Sequence, residues 1–454
     1  MSTKIFKSIN PYNLVTIAEY EELNDQQIQN KLQKADEAYK HWSRTSFENR
    51  GERMLKIAKL LKSETDRYAR TITAEMGKPI TQARAEIEKC AWVCEYYAKN
   101  AEKFLKDKHI QTDASESWVS YESIGCVMAI MPWNYPFWQF FRYAAPTIMA
   151  GNVGILKHAS NVFGCAIQME EIFLEADFPE GVFQNLTISS DKVAGILEDK
   201  RVKAVTLTGS EGAGSAVASK AGKHIKKSVL ELGGSNAFVV LDDADIDQAV
   251  EVGYWARLQN TGQSCIAAKR FILQEGIAEE FMEGFKTKFE AMQVGNPIEE
   301  DTKIGPMARA DLAEELEEQM QKSIDKGAKV LVGGNRTDAK FTPTILTNVK
   351  KGMPAFNEEL FGPVASVFTV KTDEEAVNLA NATNFGLGDS LCTSNMERAK
   401  KLIPHFEGGA VFVNELVKSD PRLPFGGTKI SGYGRELSEN GIMEFVNKKT
   451  VYIK

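Results

Sequence analysis

One of the six cysteines stands in a setting that suits a nucleophile. Cys265 closes the polar loop Asn260-Thr261-Gly262-Gln263-Ser264-Cys265, which lies between a helical pattern over 246–258 and a strand pattern over 270–273. Loops between regular elements often carry function. A free cysteine is also commonly a small buried apolar side chain, and its reactivity depends on its surroundings. Taken alone, Cys265 therefore favours a structural role, and the remaining motifs of the chain reverse that interpretation.

Two other motifs supply an amide and a carboxylate. Pro132-Trp133-Asn134-Tyr135-Pro136 follows a strand pattern, and its prolines fix a turn that suits the Asn134 amide as a donor to an oxyanion. A rigid aromatic turn without chemistry has the same pattern. Glu231-Leu232-Gly233-Gly234 sets a carboxylate beside two glycines, which suits a general base that must move. Most glutamates, however, are merely solvated.

A glycine-containing turn offers a place for a phosphate. Gly209, Ser210 and Gly214 lie where a strand pattern ends and the helical pattern 215–223 begins, so backbone amides could approach a phosphate at a helix N-terminus. The spacing does not fit GxGxxG, and glycine after a strand is often only a turn. Lys157 adds a cation just past the strand pattern 153–156, although an exposed lysine is usually a solvated charge. Open α/β sheets bind ligands at this edge, so a dinucleotide site is one interpretation.

The elements that must position these residues are those of an α/β protein. Near-continuous apolar runs predict parallel strands covered on both faces, and they occur at 125–131, 153–156, 204–207, 237–241, 270–273, 329–332 and 365–370. Before them the periodicity predicts helices over 25–42, 50–73 and 80–106. Strand patterns at 118–121 and 450–454 indicate either subunit pairing or ordinary edge strands.

Composition excludes several classes of function. A chain of 454 residues is expected to form two or more domains. The net charge of -7 leaves no basic field for nucleic acid or an anionic membrane. The six cysteines and five histidines are dispersed, so we expect neither a disulfide framework nor a metal site. No apolar run resembles a signal peptide or a membrane span, and a cytoplasmic location is therefore expected.

The motifs together resemble the aldehyde dehydrogenase superfamily, and they occur in that family's order nearly end to end. They are Pro132-Trp-Asn-Tyr-Pro136, Gly209-Ser210 with Gly214, Glu231-Leu-Gly-Gly234, Gly262-Gln-Ser-Cys265, Glu358-Glu-Leu-Phe-Gly-Pro363 and Pro424-Phe-Gly-Gly-Thr-Lys-Ile-Ser-Gly-Tyr-Gly-Arg-Glu436. Each motif is weak alone, but six in one order argue against coincidence. With Lys157-His158-Ala159-Ser160 and the chain length, the sequence is most similar to bacterial succinate-semialdehyde dehydrogenases.

The resemblance implies an α/β fold with two Rossmann-like parallel-sheet domains and a small β oligomerisation element. By that match, residues 1–112 and 125–230 form the cofactor-binding domain and residues 231–420 form the catalytic domain. Residues 113–124 and 421–454 form the oligomerisation and bridging segments. A homodimer or homotetramer is expected, with a small-molecule aldehyde as substrate.

The chemistry that the resemblance implies is NAD(P)-dependent oxidation of an aldehyde. Cys265 would attack the carbonyl carbon, and the Asn134 amide with the Cys265 backbone N–H would hold the oxyanion of the thiohemiacetal. After hydride transfer, Glu231 would activate the water that hydrolyses the thioester. Because an ordinary thiol has a pKa of about 8.5, the site must assist its deprotonation at neutral pH.

By family match, the cofactor site would be lined by Trp133, Lys157, Ser160, Gly209, Ser210 and Leu232. Glu359 and Phe361 would position the nicotinamide ribose. Ser160 stands where NAD-preferring relatives commonly carry a glutamate, and its neutral side chain would not repel the 2′-phosphate of NADP. We therefore predict that NADP is accepted and preferred over NAD.

Trp138 and Arg142 are the residues that we expect to select the substrate. Arg142 lies four residues after Trp138, so both could face one side of a helix close to Asn134. Arg142 would then pair with the distal carboxylate of succinate semialdehyde, and Trp138 would shape the channel. An arginine tied to a local acid is the alternative. Arg257 and Arg422 are weaker candidates for the same role.

Three other functions stay open from the sequence. One is an aldehyde dehydrogenase for another aliphatic aldehyde or semialdehyde, or one that passes the acyl group to coenzyme A. Another is a cysteine hydrolase, which would need a histidine partner that no local pattern supplies. The last is a non-catalytic structural protein, for which the retention of Cys265, Glu231 and Asn134 would be unnecessary.

Overall fold

The computed structural model describes residues 4–454, and its N-terminal part is a hairpin followed by helices. The elements are β1 (Ile5–Ile9), β2 (Thr16–Glu21), α1 (Asp25–Trp42), α2 (Phe47–Ser63), α3 (Thr65–Met76), α4 (Ile80–Phe104), β3 (Lys108–His109) and β4 (Glu116–Ser123). Helix α1 begins as predicted, because Asn24 and Gln27 form a reciprocal capping box. The hairpin β1–β2 was not predicted from the sequence.

The predicted helix over 50–73 is wrong as a single element. Helix α2 ends at Ser63 and α3 begins at Thr65, with Glu64 outside helical geometry at φ -110° and ψ 22°. The Thr65 hydroxyl donates to the carbonyl of Leu61 at 2.8 Å. Threonine hydroxyls that bind the preceding turn compete with the backbone and bend helices, which accounts for the break.

The first large sheet contains all three strands predicted between residues 125 and 208. Its region consists of β5 (Cys126–Met131), α5 (Pro136–Met149), β6 (Val153–His158), α6 (Phe163–Glu175), β7 (Phe183–Asn185), α7 (Val193–Glu198), β8 (Val202–Thr208), α8 (Glu211–Lys223) and β9 (Lys227–Glu231). These five strands are parallel in the order β9-β8-β5-β6-β7. Strand β9 was missed, because its charged start resembles the end of helix α8.

The second large sheet follows in sequence. Its region consists of β10 (Asn236–Val240), α9 (Ile246–Leu258), β11 (Ala268–Gln274), α10 (Ala278–Ala291), α11 (Ala310–Ile324), β12 (Lys329–Val332), β13 (Arg336–Thr337), β14 (Lys340–Phe341), β15 (Thr344–Thr347), α12 (Pro354–Asn357), β16 (Val364–Val370), α13 (Asp373–Asn381), β17 (Asp389–Cys392), α14 (Met396–Leu402) and β18 (Val411–Val413). The order is β12-β15-β16-β11-β10-β17-β18. Only β12 is antiparallel to its neighbour, and it is a half-exposed edge strand instead of a buried parallel one.

The C-terminal elements join the first sheet and a small third sheet. They are β19 (Gly432–Tyr433), α15 (Ser438–Ile442) and β20 (Val446–Ile453). Strand β19 pairs with β9, whereas β20 pairs with β4 in a sheet of order β20-β4-β3. The α/β fold class and the two strands predicted at 118–121 and 450–454 are confirmed. The domain boundaries stay a prediction, and among residues 4–454 no helix is long and apolar enough to cross a membrane.

Candidate active site

The site lies where the strands of the first sheet end and meet a loop of the second sheet. Strand β5 ends at Met131 and leads into the turn with Asn134, β8 ends at Thr208 before Gly209, and β9 ends at Glu231. Parallel strands present their carboxyl ends at one edge, where α/β sheets bind ligands. The loop with Cys265 reaches this edge between α9 and β11.

A cavity of about 270 Å³ opens at this junction. Most of the predicted site residues line it, namely Trp133, Asn134, Gly209, Ser210, Leu232, Cys265, Glu359 and Phe361. The rings of Trp133 and Phe361 meet edge to face across it, with their centroids 5.7 Å apart. Lys157, Ser160, Trp138, Arg142 and Glu231 lie outside the lining, and each is considered below.

The loop that carries Cys265 has an unusual backbone. Asn260, Thr261 and Gly262 all have positive φ, at 54°, 56° and 71°, a conformation that costs free energy for the two residues with side chains. The surrounding chain holds the loop in place. The Gln82 side chain accepts from the Asn260 N–H at 2.8 Å, and the Thr261 hydroxyl donates to the carbonyl of Gly305 at 3.0 Å.

Two buried cations bind the carbonyl groups around this loop. Arg257 donates to the carbonyls of Gly262 and Ala268, at 2.6 and 3.1 Å. Lys269 donates to the carbonyls of Ser264 and Cys265, at 2.7 and 2.8 Å. The interpretation of Arg257 as a substrate ligand is therefore wrong, because its guanidinium is fully buried in the protein backbone. Lys269 was missed, since its role depends on contacts that a single sequence does not reveal.

Lys269 also connects the loop to Glu359. The Lys269 ammonium lies 2.9 Å from Glu359 Oε1, and the same oxygen accepts from the Gly234 N–H at 3.1 Å. The predicted ribose ligand is thus held in place by a cation before any cofactor binds. Its second carboxylate oxygen takes no part in these bonds, and the residue lines the cavity.

The side chain of Asn134 is fixed at both ends of its amide. Its Nδ2 donates to the carbonyl of Gln263 at 3.0 Å, and its Oδ1 accepts from Gln139 Nε2 at 3.0 Å. The second N–H of Nδ2 remains available to donate a hydrogen bond to an oxyanion. Gln139 itself lines the cavity and was not selected from the sequence. Its bond to Oδ1 prevents the Asn134 amide from turning its oxygen toward the site.

Glu231 is buried behind the cavity at the end of β9. It is 1% exposed, and neither carboxylate oxygen has a hydrogen-bond partner within residues 4–454. Burial raises its pKa well above the usual range, and the nearby charge of Glu436 adds to this effect. The opposing positive charges of Arg142 and Arg435 are smaller influences. An unbound carboxyl group of raised pKa suits a general base that must take up a proton.

The thiol of Cys265 also has a raised pKa. Burial is the main cause and raises the pKa to about 11; the positive charges of Lys269 and Arg142 act to lower it, and the negative charges of Glu359 and Glu231 act to raise it. The resting thiol is therefore protonated at neutral pH. Its activation needs a base or a bound ligand that changes this environment.

The two glycines after Glu231 serve close packing more than mobility. A Cβ at position 234 would lie 2.6 Å from the carbonyl oxygen of Cys265, and one at 233 would overlap the Glu359 carboxylate. Neither glycine has positive φ. The motif thus lets the loop with Cys265 and the side chain of Glu359 lie directly against β9's end.

Arg142 is tied to a local acid in this structure. It is 3% exposed and forms a buried ion pair with Glu436, and its guanidinium stacks 4.5 Å from the ring of Phe425. This matches the alternative that the sequence left open, so a free carboxylate clamp at Arg142 is not what the structure contains. Trp138 is buried on the same face of α5. The weaker candidate Arg422 is exposed and bound to Asp420.

The residues predicted to bind the cofactor lie where β6 and β8 end. Ser210 caps helix α8 at the cavity, and the positive end of that helix favours an anion. Lys157 was predicted just past a strand ending at residue 156, but β6 ends two residues later, at His158, so Lys157 lies within the strand. It has no acidic partner within residues 4–454. Burial lowers its pKa, because no negative charge compensates its own. Ser160 follows in the 3-10 turn 160–162 and adds no charge.

No histidine lines the cavity in the part of the chain from residue 4 onward. His158, the nearest in sequence to the cofactor residues, is buried and hydrogen-bonded to the carbonyl of Pro136 at 3.2 Å. Burial lowers its pKa to about 4, so it is neutral and not available as a proton acceptor toward Cys265. A cysteine hydrolase of the Cys-His type is therefore not supported.

Comparisons with known proteins agree with this geometry. A model described as the aldehyde dehydrogenase family matches residues 1–451. A probable succinate-semialdehyde dehydrogenase [NADP(+)] of Synechocystis is 49% identical and covers 98% of this chain and 99% of its own. Succinate semialdehyde dehydrogenase [NAD(P)+] Sad of Escherichia coli is 44% identical over 94% of this chain and 93% of its own.

A solved structure from this group of relatives has the same fold as this chain. The crystal structure of succinic semialdehyde dehydrogenase from Streptococcus pyogenes, in complex with NADP+, superposes with a TM-score of 0.97. The two sequences are 38% identical, and the match covers 99% of each chain.

Proposed function

The chain belongs to the aldehyde dehydrogenase family, and from this we propose that it oxidises succinate semialdehyde to succinate, with NADP as the preferred electron acceptor. The observation that carries the proposal is that Cys265, Asn134 and Glu231 come together at one sheet edge, beside a cavity that Trp133, Gly209, Ser210 and Phe361 line. Family membership supports aldehyde oxidation. The relatives from Synechocystis, Escherichia coli and Streptococcus pyogenes support the particular substrate.

The first step is attack by sulfur. Cys265 Sγ forms a bond to the carbonyl carbon, and the carbonyl oxygen becomes an oxyanion. The thiol proton passes to the ionised Glu231 carboxylate, which releases it to solvent before the second step. The free proton of Asn134 Nδ2 stabilises the oxyanion together with the Cys265 N–H. Gln139 and the Gln263 carbonyl hold the amide in the required orientation before substrate arrives. Such preorganised donors commonly contribute about 3–4 kcal/mol to catalysis.

The second step needs an acid-base group. A bound nicotinamide supplies the acceptor for the hydride that leaves the substrate carbon. Glu231 then removes a proton from the water that attacks the thioester, and succinate and the free thiol are released. Its raised pKa makes it a stronger base than an exposed glutamate once it is ionised.

The cofactor is held by the chain's own polar and aromatic groups. Ser210 and the N-terminus of α8 would hold the pyrophosphate, and Trp133 and Phe361, whose rings meet edge to face in the cavity, would lie beside the nicotinamide. The ammonium of Lys157 would bind the adenosine ribose and its 2′-phosphate, and Ser160 would add no negative charge beside that phosphate. This arrangement supports NADP over NAD.

Assembly and location are part of the same proposal. The sheet formed by β20, β4 and β3 exposes Tyr452 and Ile453, at 49% and 46%, and would pair copies of the chain into a homodimer or homotetramer. All six cysteines are unpaired, and Cys265 must stay reduced to act. A reducing, cytoplasmic compartment suits that requirement.

The test is an assay of cofactor reduction with a panel of aldehydes. We expect the highest kcat/KM for succinate semialdehyde with NADP and no dependence on coenzyme A. Cys265→Ser should lower kcat by about a thousandfold or more. Required coenzyme A would favour the acyl-transfer alternative, and full turnover by the serine variant would overturn the proposed mechanism.

A further inference from the structure

Lys269 uses all of its hydrogen-bonding capacity within the active site. Its ammonium donates to the carbonyls of Ser264 and Cys265, at 2.7 and 2.8 Å, and lies 2.9 Å from Glu359 Oε1. A lysine has three N–H donors, and these three acceptors match them. The side chain is only 2% exposed, so water does not compete for the ammonium. One cation therefore joins the loop of the nucleophile to the carboxylate that the family resemblance assigns to the nicotinamide ribose.

The carboxylate of Glu359 is held on one side and open on the other. Its Oε1 accepts from the Gly234 N–H at 3.1 Å, in addition to the contact with Lys269. Its Oε2 takes part in neither bond and lies against Gly233, where a Cβ would overlap it. The residue lines the cavity, and its side chain is 18% exposed. Two donors thus fix one oxygen, and the other stays available to a hydroxyl group of a ligand.

The charges in the cavity lining are negative. Among residues 4–454, the charged residues that line it are Glu315 and Glu359. A dinucleotide carries negative charge on its pyrophosphate, and NADP adds a further phosphate, so carboxylates in this wall oppose its binding. Lys269 compensates the charge of Glu359 from the protein side at 2.9 Å. Its ammonium also lies 5.9 Å from the ring centroid of Phe361, the second residue assigned to the nicotinamide ribose.

Lys269 and Glu359 depend on each other for their charge. Burial lowers the pKa of Lys269, and the negative charge of Glu359 is the strongest influence that opposes this shift. Arg257, the other buried cation beside the loop, donates to backbone carbonyls. Removing one member of a buried ion pair leaves the other charge uncompensated, whereas removing both does not. This difference distinguishes a role of the pair from a general contribution of Lys269 to packing.

We propose that Lys269 is a positioning residue for the dinucleotide cofactor. It compensates the charge of Glu359 and holds Oε1, so that Oε2 is presented to the nicotinamide ribose at a fixed place relative to the Cys265 loop. Lys269 acts through Glu359 and does not itself touch the cofactor. A carboxylate that is fixed in advance loses less conformational freedom when a ligand binds. The inference rests on the proposed cofactor site and is independent of which aldehyde the enzyme oxidises.

The decisive experiment measures the equilibrium binding of NADP and of NAD, without aldehyde, by isothermal titration calorimetry. The variants are Lys269→Met, Lys269→Arg, Glu359→Gln and the double variant Lys269→Met/Glu359→Gln. Lys286→Met, at an exposed position of α10, is the matched control. Circular dichroism shows whether each variant is folded. The double variant contains no unpaired charge, so its comparison with Glu359→Gln decides the question even if Lys269→Met does not fold.

We expect Lys269→Met to raise the Kd of NADP by about 10- to 100-fold, because an uncompensated carboxylate then faces an anion. Lys269→Arg should recover most of the loss, and Lys286→Met should match the wild type. In the Glu359→Gln background, Lys269→Met should change the Kd by less than about threefold, since the charge that it compensates is gone. Equal losses from Lys269→Met in both backgrounds, or no loss in either, would overturn the proposal.

Salt distinguishes charge compensation from a purely structural role of Lys269. Raising the NaCl concentration from about 0.02 M to about 0.5 M should reduce the ratio of the Kd of Lys269→Met to that of the wild type. The reason is that salt screens a carboxylate that is partly open to solvent. A ratio that stays constant would show that Lys269 only supports the fold.

The same titrations separate this inference from the proposed function. A wild type that binds NAD more tightly than NADP would contradict the proposed cofactor preference. If the affinity for NAD then depends on Lys269 only when Glu359 is present, the role of Lys269 is supported. A wild type that binds neither dinucleotide would overturn both proposals.

Discussion

At the scale of single residues, the reactive sulfur is controlled by its surroundings. Cys265 lies under protein that raises its pKa to about 11, and the two cations nearby do not compensate for that burial. At pH values below its pKa, the ionised fraction of such a thiol increases about tenfold for each unit by which the pH is raised. The folded protein should therefore protect this nucleophile at neutral pH.

Alkylation of the enzyme without substrate or cofactor tests this. The rate of inactivation by iodoacetamide should rise steadily from pH 7 toward about 11 and should not level off near the pKa of a free thiol. Cys265→Ser provides the control for alkylation elsewhere. A plateau near pH 7 would mean that the thiol is ionised at rest.

Gln139 should act on catalysis only through Asn134. Replacing Gln139 by Met removes the donor that holds Asn134 Oδ1, so the amide can turn, and kcat should fall by about tenfold with little change in KM. The same change in an Asn134→Ala background should have almost no further effect, because its target is gone. Independent, additive losses would show that Gln139 acts in another way.

Ser160 should govern the choice of cofactor. Ser160→Glu places a negative charge beside the expected 2′-phosphate, and kcat/KM for NADP should fall by about 10- to 100-fold. The value for NAD should stay level or rise. Ser160→Ala, which adds no charge, is the control, and an equal fall for both cofactors would contradict the assignment.

At the scale of elements, the N-terminus of α5 is held by a buried ion pair. Glu86 Oε1 accepts from the N–H groups of Phe137 and Trp138 at 2.9 and 3.0 Å, while its other oxygen pairs with Lys78. These contacts fix the first turn of the helix that follows Asn134. They connect α4 to the oxyanion donor, although neither residue reaches the cavity.

Breaking this pair should cost stability. Glu86→Gln leaves Lys78 charged and unpaired, and the free energy of unfolding should fall by about 3–5 kcal/mol. Adding Lys78→Met should restore part of it. Glu88→Gln, at an exposed position of the same helix, should change little. Urea unfolding followed by circular dichroism measures all four, and a harmless Glu86→Gln would refute the assignment.

The sequence predicted elements well where burial leaves a local pattern. Parallel strands such as β5 and β8 are nearly continuous apolar runs in the sequence. The start of α1 is marked by capping residues that lie next to it in the chain. The sequence did not predict contacts between residues that lie far apart in the chain. Lys269, Gln139 and the Lys78–Glu86 pair are ordinary polar residues until the fold brings their partners together. The break at Glu64 depends on one hydroxyl that could equally have pointed to water.

At the scale of the whole molecule, one chain forms two mainly parallel sheets, and the catalytic residues lie between them. Asn134 and Glu231 come from the first sheet, whereas Cys265 and Glu359 come from the region of the second. The Lys269–Glu359 pair and the packing on Gly234 connect the two sides. The third sheet joins β3 and β4, which directly precede β5 in the chain, to the C-terminal β20, and we propose that it serves assembly.

The proposed assembly has a direct test. Tyr452→Glu places a charge on the exposed face of β20 and should shift the protein toward smaller species in light scattering after gel filtration. Lys454→Glu, beyond the end of the strand, should not. A wild type that is monomeric at micromolar concentration would refute pairing through this sheet.

The protonated state of Cys265 has one more consequence. Hydrogen peroxide oxidises sulfur almost entirely in its anionic form, so a resting enzyme that keeps its hydrogen on Sγ is a poor target for it. Between turnovers the enzyme should endure oxidative stress, and damage should concentrate in the brief interval when an aldehyde is being processed. Substrate supply would then set the lifetime of the catalyst.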